Sequence, residues 1–361
     1  MNEDVDCSIL VPVYNEERYI EQSWAAMQGQ RFEGRLEFLF VDGCSTDRTR
    51  EILERLAADD DRIRVLDNPR RAVSSGLNVA LANARGTWVA RMDAHTAYPD
   101  DYIALGVQRL RQGGTRWVSG PQLPEGHGPV SRAVALALAS PIGRGGSRKW
   151  GARGQRDEPE FELDTGIFCG VWSRSTLLEY GGWDERWPRN SDSEMAARFL
   201  ERGERLICVP AMAAVYVPRD SLRGLWRQYR GYGQYRARTS QRHPDAMRAS
   251  HLLAPAIVAT AAASVVAPSP WRQLARLGFG AYTGALAVSG VRSLSQGSSA
   301  ADAALVPIVL AIMHFGHGVG MIDGARLYGP PLAALARIAG RRDLAARLHP
   351  APEPVHAPSL A

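Results

Sequence analysis

Two side chains in 93-DAHTAYPDD-101 have the type and spacing to hold a metal ion, Asp93 and His95. In an extended segment, residues two apart project to the same side, so both can face one divalent cation. Imidazole is an acceptable ligand for Mn²⁺, whereas Mg²⁺ prefers oxygen. A cation held there would serve as a Lewis acid for a departing diphosphate. The alternative leaves Asp93 alone on a metal or a ribose, with His95 satisfied by a neighbour. Asp100 and Asp101 follow Pro99 and suit a helix N-cap and first turn better than a metal. Asp192 lies in 190-NSDSE-194 at the start of a helical pattern, where by itself it reads as a cap.

These residues need a scaffold. The runs 7-CSILVPVY-14, 36-LEFLFVD-42, 62-RIRVLDNP-69 and 87-TWVARMD-93 read as strands. Helical patterns separate them, from Tyr19 to Met27, over 48-RTREILERLAA-58 and over about 74–84. Such alternation indicates an α/β domain built on a parallel sheet covered on both faces. Ligands bind such sheets at the carboxyl ends of the strands. Asn15-Glu16, Asp42, Asn68 and Asp93-His95 each follow a strand, so four polar clusters should share one edge. Arg70 and Arg71, after the third strand, suit either a diphosphate or plain solvent, and Asn78 reads as structural. No G-x-G-x-x-G is present, which disfavours a dinucleotide oxidoreductase.

Composition restricts the partners. The net charge is +5, from 43 Lys+Arg against 38 Asp+Glu. That balance suits an anionic ligand or membrane surface and is too slight for nucleic acid. Cys7, Cys44, Cys169 and Cys208 form no C-x-x-C pair and read as reduced, buried thiols. The acidic start, 1-MNEDVD-6, lacks the basic residues of a signal peptide, so the first domain is expected in the cytosol. Past residue 250 come three apolar stretches, 252–268, 274–291 and 303–322. The first two are short and interrupted by Pro255, Gly278, Gly280 and Gly284; the third is long enough to span a bilayer. Arginines crowd both flanks of this region, which puts both on the cytoplasmic side. An even number of crossings follows, with 303–322 as one span and one interrupted stretch re-entrant or interfacial. His314 and His317, three apart, should face protein or a lipid diphosphate, or simply pack between helices.

The series 9-ILVPVYNEE-17, 39-LFVDGCSTDRT-49, 76-GLNVALANARGTWVARMDAHT-96 and 181-GGWDERWPRNSDSEMAARFLERG-203 resembles the family-two glycosyltransferases of GT-A fold. The variant 92-MDAHTAYPDDYI-103, the segment 164-DTG-166 and the apolar C-terminus resemble the branch that builds bacterial exopolysaccharides of succinoglycan type. The resemblance implies a Rossmann-type nucleotide-sugar-binding domain followed by a small helical membrane domain. It divides the chain into a cytosolic domain over 1–245, with an interfacial helix near 222–240, membrane-associated helices over 246–330, and a basic then Pro-rich tail over 331–361. It puts Pro12, Tyr14 and Glu16 around the base and ribose of a nucleoside-diphosphate sugar, a UDP-sugar first among them, with Asp42 accepting from the base. It makes Asp93 and His95 the ligands of Mn²⁺ or Mg²⁺, His95 standing where the family usually carries a second aspartate. It assigns Asp192 as the base that deprotonates the acceptor hydroxyl, with Ser191 where a glutamate is usual, and Asp184 as a residue that holds the preceding turn. Asp164 falls on an acceptor-side segment. The aromatic and basic run 226-WRQYRGYGQYRART-239 loosely resembles an element of polysaccharide synthases, so Arg230 and Arg236 are candidate diphosphate contacts.

The implied activity is an inverting, metal-dependent hexosyltransferase at the bacterial inner membrane, with its catalytic domain cytoplasmic and a polyprenyl-linked saccharide as acceptor. A polyprenyl-phosphate sugar synthase is the second reading; its acceptor is already a phosphate and needs no base such as Asp192. A scaffold that binds nucleotide sugar without turnover is the non-enzyme alternative.

Overall fold

The computed structural model describes residues 5–145, 147–150, 154–167, 169–349 and 354–356. They form two compact units, one of 1–123, 152–216 and 352–361, the other of 124–151 and 217–351.

The first unit is built on a sheet whose first four strands are β1 (Cys7–Val13), β2 (Leu36–Asp42), β3 (Ile63–Asp67) and β4 (Trp88–Arg91). Helices α1 (Ile20–Gln28), α2 (Thr49–Asp59) and α3 (Val73–Asn83) connect them, and α4 (Tyr102–Arg111) follows. All three pairings among β1 to β4 are parallel, as the alternation requires. Ile9, Leu10, Phe38, Leu39 and Phe40 are fully buried, because strands covered on both faces need continuous apolar runs. The remaining strands are short: β5 (Thr96–Ala97), β6 (Trp117–Ser119), β7 (Gln122–Pro124), β8 (Phe161–Leu163), β9 (Gly170–Ser173), β10 (Leu206–Cys208) and β11 (Ala214–Tyr216). The main sheet runs β3-β2-β1-β4-β9-β6-β10-β8, and β5-β11-β7 form a small second sheet. Here the fold departs from the all-parallel expectation. β9 runs antiparallel to both β4 and β6, and β8 antiparallel to β10, so the sheet is mixed. The chain winds outward from β1 to β3, then returns to lay β4 on the other side of β1. That reversal opens a crevice at the carboxyl ends of β1 and β4, where such sheets take ligands. Helices α7 (Arg174–Glu179) and α8 (Ser191–Glu201) complete the unit.

The second unit is helical: α5 (Pro129–Ala139), α6 (Pro141–Arg144), α9 (Leu222–Arg242), α10 (Leu253–Val266), α11 (Trp271–Ser295), α12 (Ala300–Tyr328), α13 (Leu332–Ile338) and α14 (Arg342–Leu348). The interfacial helix expected near 222–240 is α9, and by its packing it lies in this unit. Ala133, Val134 and Ala137 of α5, Leu225 of α9 and Val306, Val309, Leu310 and Met313 of α12 share one core. The apolar stretches depart from the interrupted segments expected of them. Pro255 sits in the first turn of α10, where its missing N–H costs nothing, and α11 runs unbroken through Gly278, Gly280 and Gly284. Among the described residues two segments are long and apolar enough to cross a membrane, 249–266 and 300–328.

Candidate functional site

Among the described residues, four non-glycine residues in the left-handed region punctuate the first unit: Asn15, Cys44, Arg71 and Asn190. Three follow β1, β2 and β3, and the fourth precedes α8. Side chains with a Cβ reach this region only at a cost, and such strain collects at ligand-binding edges.

The loops after β1 and β2 are laced together. Asn15 N–H donates to Ser45 Oγ (2.9 Å), Thr46 N–H to Asn15 Oδ1 (2.8 Å) and Glu16 N–H to Thr49 Oγ1 (2.7 Å). Asp42 ends β2 buried, and its Oδ1 accepts from Ser45 Oγ at 2.6 Å and from Ser45 N–H at 3.1 Å. Its carboxylate is therefore fixed at the strand end with lone pairs left for a ligand. Tyr14 is exposed and packs beside Gly43, with a ring face available for stacking; Pro12 is half-buried beside Gly76.

After β4, Asp93 and His95 have different partners. Both Asp93 oxygens accept from Arg91, Nε at 2.8 Å and a terminal nitrogen at 3.0 Å, and the Asp93 N–H donates to Tyr98 Oη at 2.8 Å. Arg91 is buried, in an otherwise apolar strand. Burial would lower its pKa, but Asp93 and then Asp192 raise it above its ordinary value, so it stays a cation. His95 Nδ1 lies 3.1 Å from Glu16 Oε1, joining two residues 79 positions apart. A carboxylate there accepts the Nδ1 proton and leaves the lone pair of neutral His95 on Nε2.

The candidate base lies near Arg91 and the 164–166 segment. Asp192 lies in the first turn of α8, close enough to Arg91 to add to its stabilisation. A methyl group at Gly166 would sit 2.2 Å from the Asp192 carbonyl oxygen, so only glycine allows 164-DTG-166 to pack against this turn. Asp164 itself is exposed. Beneath lies an aromatic wall in which Trp117 packs on Trp172 and Phe199, and Trp172 on Trp183. The neighbouring carboxylates are structural. Glu194 is buried and bridges to Arg198, which also donates to the carbonyls of Tyr180 and Gly182. Burial would raise the Asp184 carboxyl, but hydrogen bonds from Arg186 hold it below its ordinary value. Asn78 exchanges hydrogen bonds with the backbone of Trp183 and donates to Glu185, which also pairs with Arg70. Asn78 thus ties α3, and Arg70 the loop before it, to 181-GGWDE-185.

The structure brings Asp93, Arg91, Asp192 and the 164–166 segment together, with Glu16 and His95 paired alongside. Arg230 and Arg236 lie on α9 in the second unit, and Arg230 bridges to Asp323 at 2.7 Å. Sequence reasoning missed Arg91, whose one signal is a lone charge inside 88-WVARM-92. It also missed the Glu16–His95 pair, for which no local signal exists.

Among the described residues no three His, Cys, Asp or Glu side chains converge to hold an ion. Asp93 and His95 supply a carboxylate and an imidazole, donor types that suit a cation taking its remaining ligands from diphosphate oxygens. Arg91 uses only one lone pair of each Asp93 oxygen.

Residues 8–173 match the profile "Glycosyl transferase family 2". The succinoglycan biosynthesis protein ExoA of Rhizobium meliloti is 30% identical over 332 residues, 91% of this chain and 89% of that protein. A dolichyl N-acetyl-alpha-D-glucosaminyl phosphate 3-beta-D-2,3-diacetamido-2,3-dideoxy-beta-D-glucuronosyltransferase of Methanococcus voltae is 24% identical, over 63% of this chain and 71% of its own length. Among solved structures, the mannosyltransferase PcManGT of Pyrobaculum calidifontis, in complex with GDP-Man and Mn²⁺, superposes with a TM-score of 0.55 at 22% identity, covering 87% of this chain and 88% of that one. The mixed α/β unit has the GT-A type of fold.

Proposed function

Because the chain belongs to glycosyl transferase family 2, we propose that it transfers a sugar from a nucleoside-diphosphate sugar to a lipid-linked saccharide, with inversion, in bacterial surface or exopolysaccharide synthesis. The observation that carries the reading is the coupling of Asp93 and Asp192 through one buried cation, Arg91. It supports reading the Asp93 edge and Asp192 as parts of one site.

Tyr14 would stack on the base and Asp42 would accept from it. Asp93 and His95 would hold a divalent cation, which when bound stabilises the negative charge of the departing diphosphate. Glu16 would orient His95 through Nδ1, a common device for a metal-bound imidazole. Asp192 would take the proton of the acceptor hydroxyl as that oxygen forms its bond to the anomeric carbon. Arg91 keeps Asp93 in one orientation, and Gly166 fixes the backbone from which Asp192 projects. The Mn²⁺ and GDP-Man of the Pyrobaculum complex are in keeping with a cation and a donor of these kinds. The second unit would hold the enzyme at the inner membrane with the first unit on the cytoplasmic side, supported by two long apolar segments and arginine-rich flanks.

Membranes containing the protein, given a panel of radiolabelled nucleotide sugars with Mn²⁺, should yield a labelled glycolipid that mild acid releases as an oligosaccharide. Release of a single labelled sugar would favour a polyprenyl-phosphate sugar synthase instead. Donor binding without any labelled lipid would leave only the scaffold.

A further inference from the structure

The first unit includes 354-PVH-356, a segment that follows the whole helical unit in sequence. It lies along 181-GGWDER-186, the turn that leads to the base-bearing helix α8. Its backbone makes most of the contacts. Glu185 N–H donates to the His356 carbonyl at 2.9 Å, and the His356 N–H donates to the Asp184 carboxylate. One terminal nitrogen of Arg186 donates to the Pro354 carbonyl at 3.1 Å and to Asp184 Oδ2 at 2.6 Å, so the segment and the buried Asp184 hold Arg186 between them. Exposure alternates as in an extended strand: Pro354 and His356 are exposed and Val355 is half-buried. Val355 covers Gly181, whose φ is +74°. A methyl group at Gly181 would come within 3.3 Å of Val355 Cβ, so glycine leaves the room that the valine uses. Main-chain hydrogen bonds, with alternate side chains seated on the surface, are how a protein captures an extended peptide. Pro354 enters with its φ already fixed, which lowers the entropy lost on docking.

The earlier part of the turn is held from elsewhere. Asn78 of α3 exchanges hydrogen bonds with the Trp183 backbone, at 2.8 and 2.9 Å. Arg198 of α8 donates to the carbonyls of Tyr180 and Gly182 while it bridges to Glu194 at 2.7 Å. Residues 180–183 are thus tied to α3 and α8. At residues 184–186, the segment 354–356 supplies a partner for the Glu185 N–H, one for the Asp184 carboxylate and one for Arg186. From there the chain enters α8, with Asp192 in its first turn. Without 354–356 these groups would turn to water, and the turn would loosen on the side from which the chain enters that helix.

We infer that 354–356 is a positioning segment for the transfer: by closing over 181–186 it fixes the approach of the chain to α8, and so the place of Asp192. This rests on Asp192 acting as the base, as proposed above.

Val355→Asp in the intact chain tests it, by putting a charge on the half-buried contact with Gly181. Amide hydrogen exchange, read by mass spectrometry, should quicken about tenfold in 181–187 and stay as in the parent in β1 to β3. With labelled donor, kcat should fall about tenfold, as a slightly misplaced base requires, while the donor KM and nucleoside-diphosphate binding stay within about twofold. Unchanged exchange in 181–187 would show that the segment does not dock, and faster exchange with the parent's kcat would show that it docks without positioning Asp192; either overturns the inference. A fall in kcat matched by lost nucleoside-diphosphate binding would mark general unfolding of the first unit, with the same effect. Absence of labelled glycolipid from the parent itself would defeat the proposed function and this inference with it, while the exchange measurement would still read docking.

Discussion

Replacing Glu16 by glutamine tests how a histidine can stand at the second metal position. Glutamine keeps an acceptor for the His95 Nδ1 proton, now 3.1 Å from Glu16 Oε1, and removes only the charge. A hydrogen bond to a charged group is worth about 1.5–3 kcal/mol, against about 0.5–1.5 for a neutral one. The His95 side chain is 42% exposed and that of Glu16 17%, so solvent screening favours the low end of the difference, about 1 kcal/mol. That is about a fivefold loss of cation affinity, near the lower edge of what an orienting carboxylate contributes. Half-activation by Mn²⁺ should therefore need about five times more metal, while the rate at saturating Mn²⁺ stays close to the parent's. In a His95→Asp background no ring needs orienting, so the same substitution should cost less than twofold, a coupling that a double-mutant cycle isolates. An increased donor KM with unchanged Mn²⁺ half-activation would refute the reasoning and return Glu16 to the base and ribose.

Gly166→Ala should push the first turn of α8 away from 164–166 and lower kcat by about 10²-fold, with circular dichroism and nucleoside-diphosphate binding nearly unchanged. Arg91→Met should leave the partly buried Asp93 carboxylate without its arginine and destabilise the first unit by about 2 kcal/mol in a denaturant titration, whereas Arg91→Lys should fold but weaken Mn²⁺ binding, because an ammonium cannot hold both oxygens. The Asp184 carboxyl is held below its ordinary value in the folded state, so its contribution is present at neutral pH and lost as pH falls through that depressed value. Asp184→Asn should thus lower the melting temperature at pH 7, and the gap to the parent should close in acid.

The half of the sheet made of β1 to β4 was legible, since long apolar runs alternate with helical periodicity and each ends in a polar cluster. The antiparallel half was not. β6, β8, β9 and β10 are three or four residues long, too short to show a period, and their direction is set by the long excursions between them. Glycines and a proline read as interruptions in the apolar C-terminal stretches, yet α11 tolerates three glycines and Pro255 occupies a first turn. Asp192 is a candidate through the resemblance carried by the Gly-Gly-Trp-Asp-Glu turn that precedes it. Its supports were not legible, because Arg91 hides in a strand and Gly166 matters only through a contact with a residue 26 positions on.

The central claim is that the first unit binds a donor at the ends of β1, β2 and β4 and that Asp192 then removes the acceptor's proton. Asp192→Asn separates the two steps in one preparation, through calorimetry with nucleoside diphosphate and Mn²⁺ and turnover of labelled donor into glycolipid. Loss of a positioned base should slow turnover by about 10²–10⁴-fold while the dissociation constant changes by less than about twofold. Turnover within a few-fold of the parent would contradict the assignment and with it the coupling of Asp192 to the diphosphate edge through Arg91.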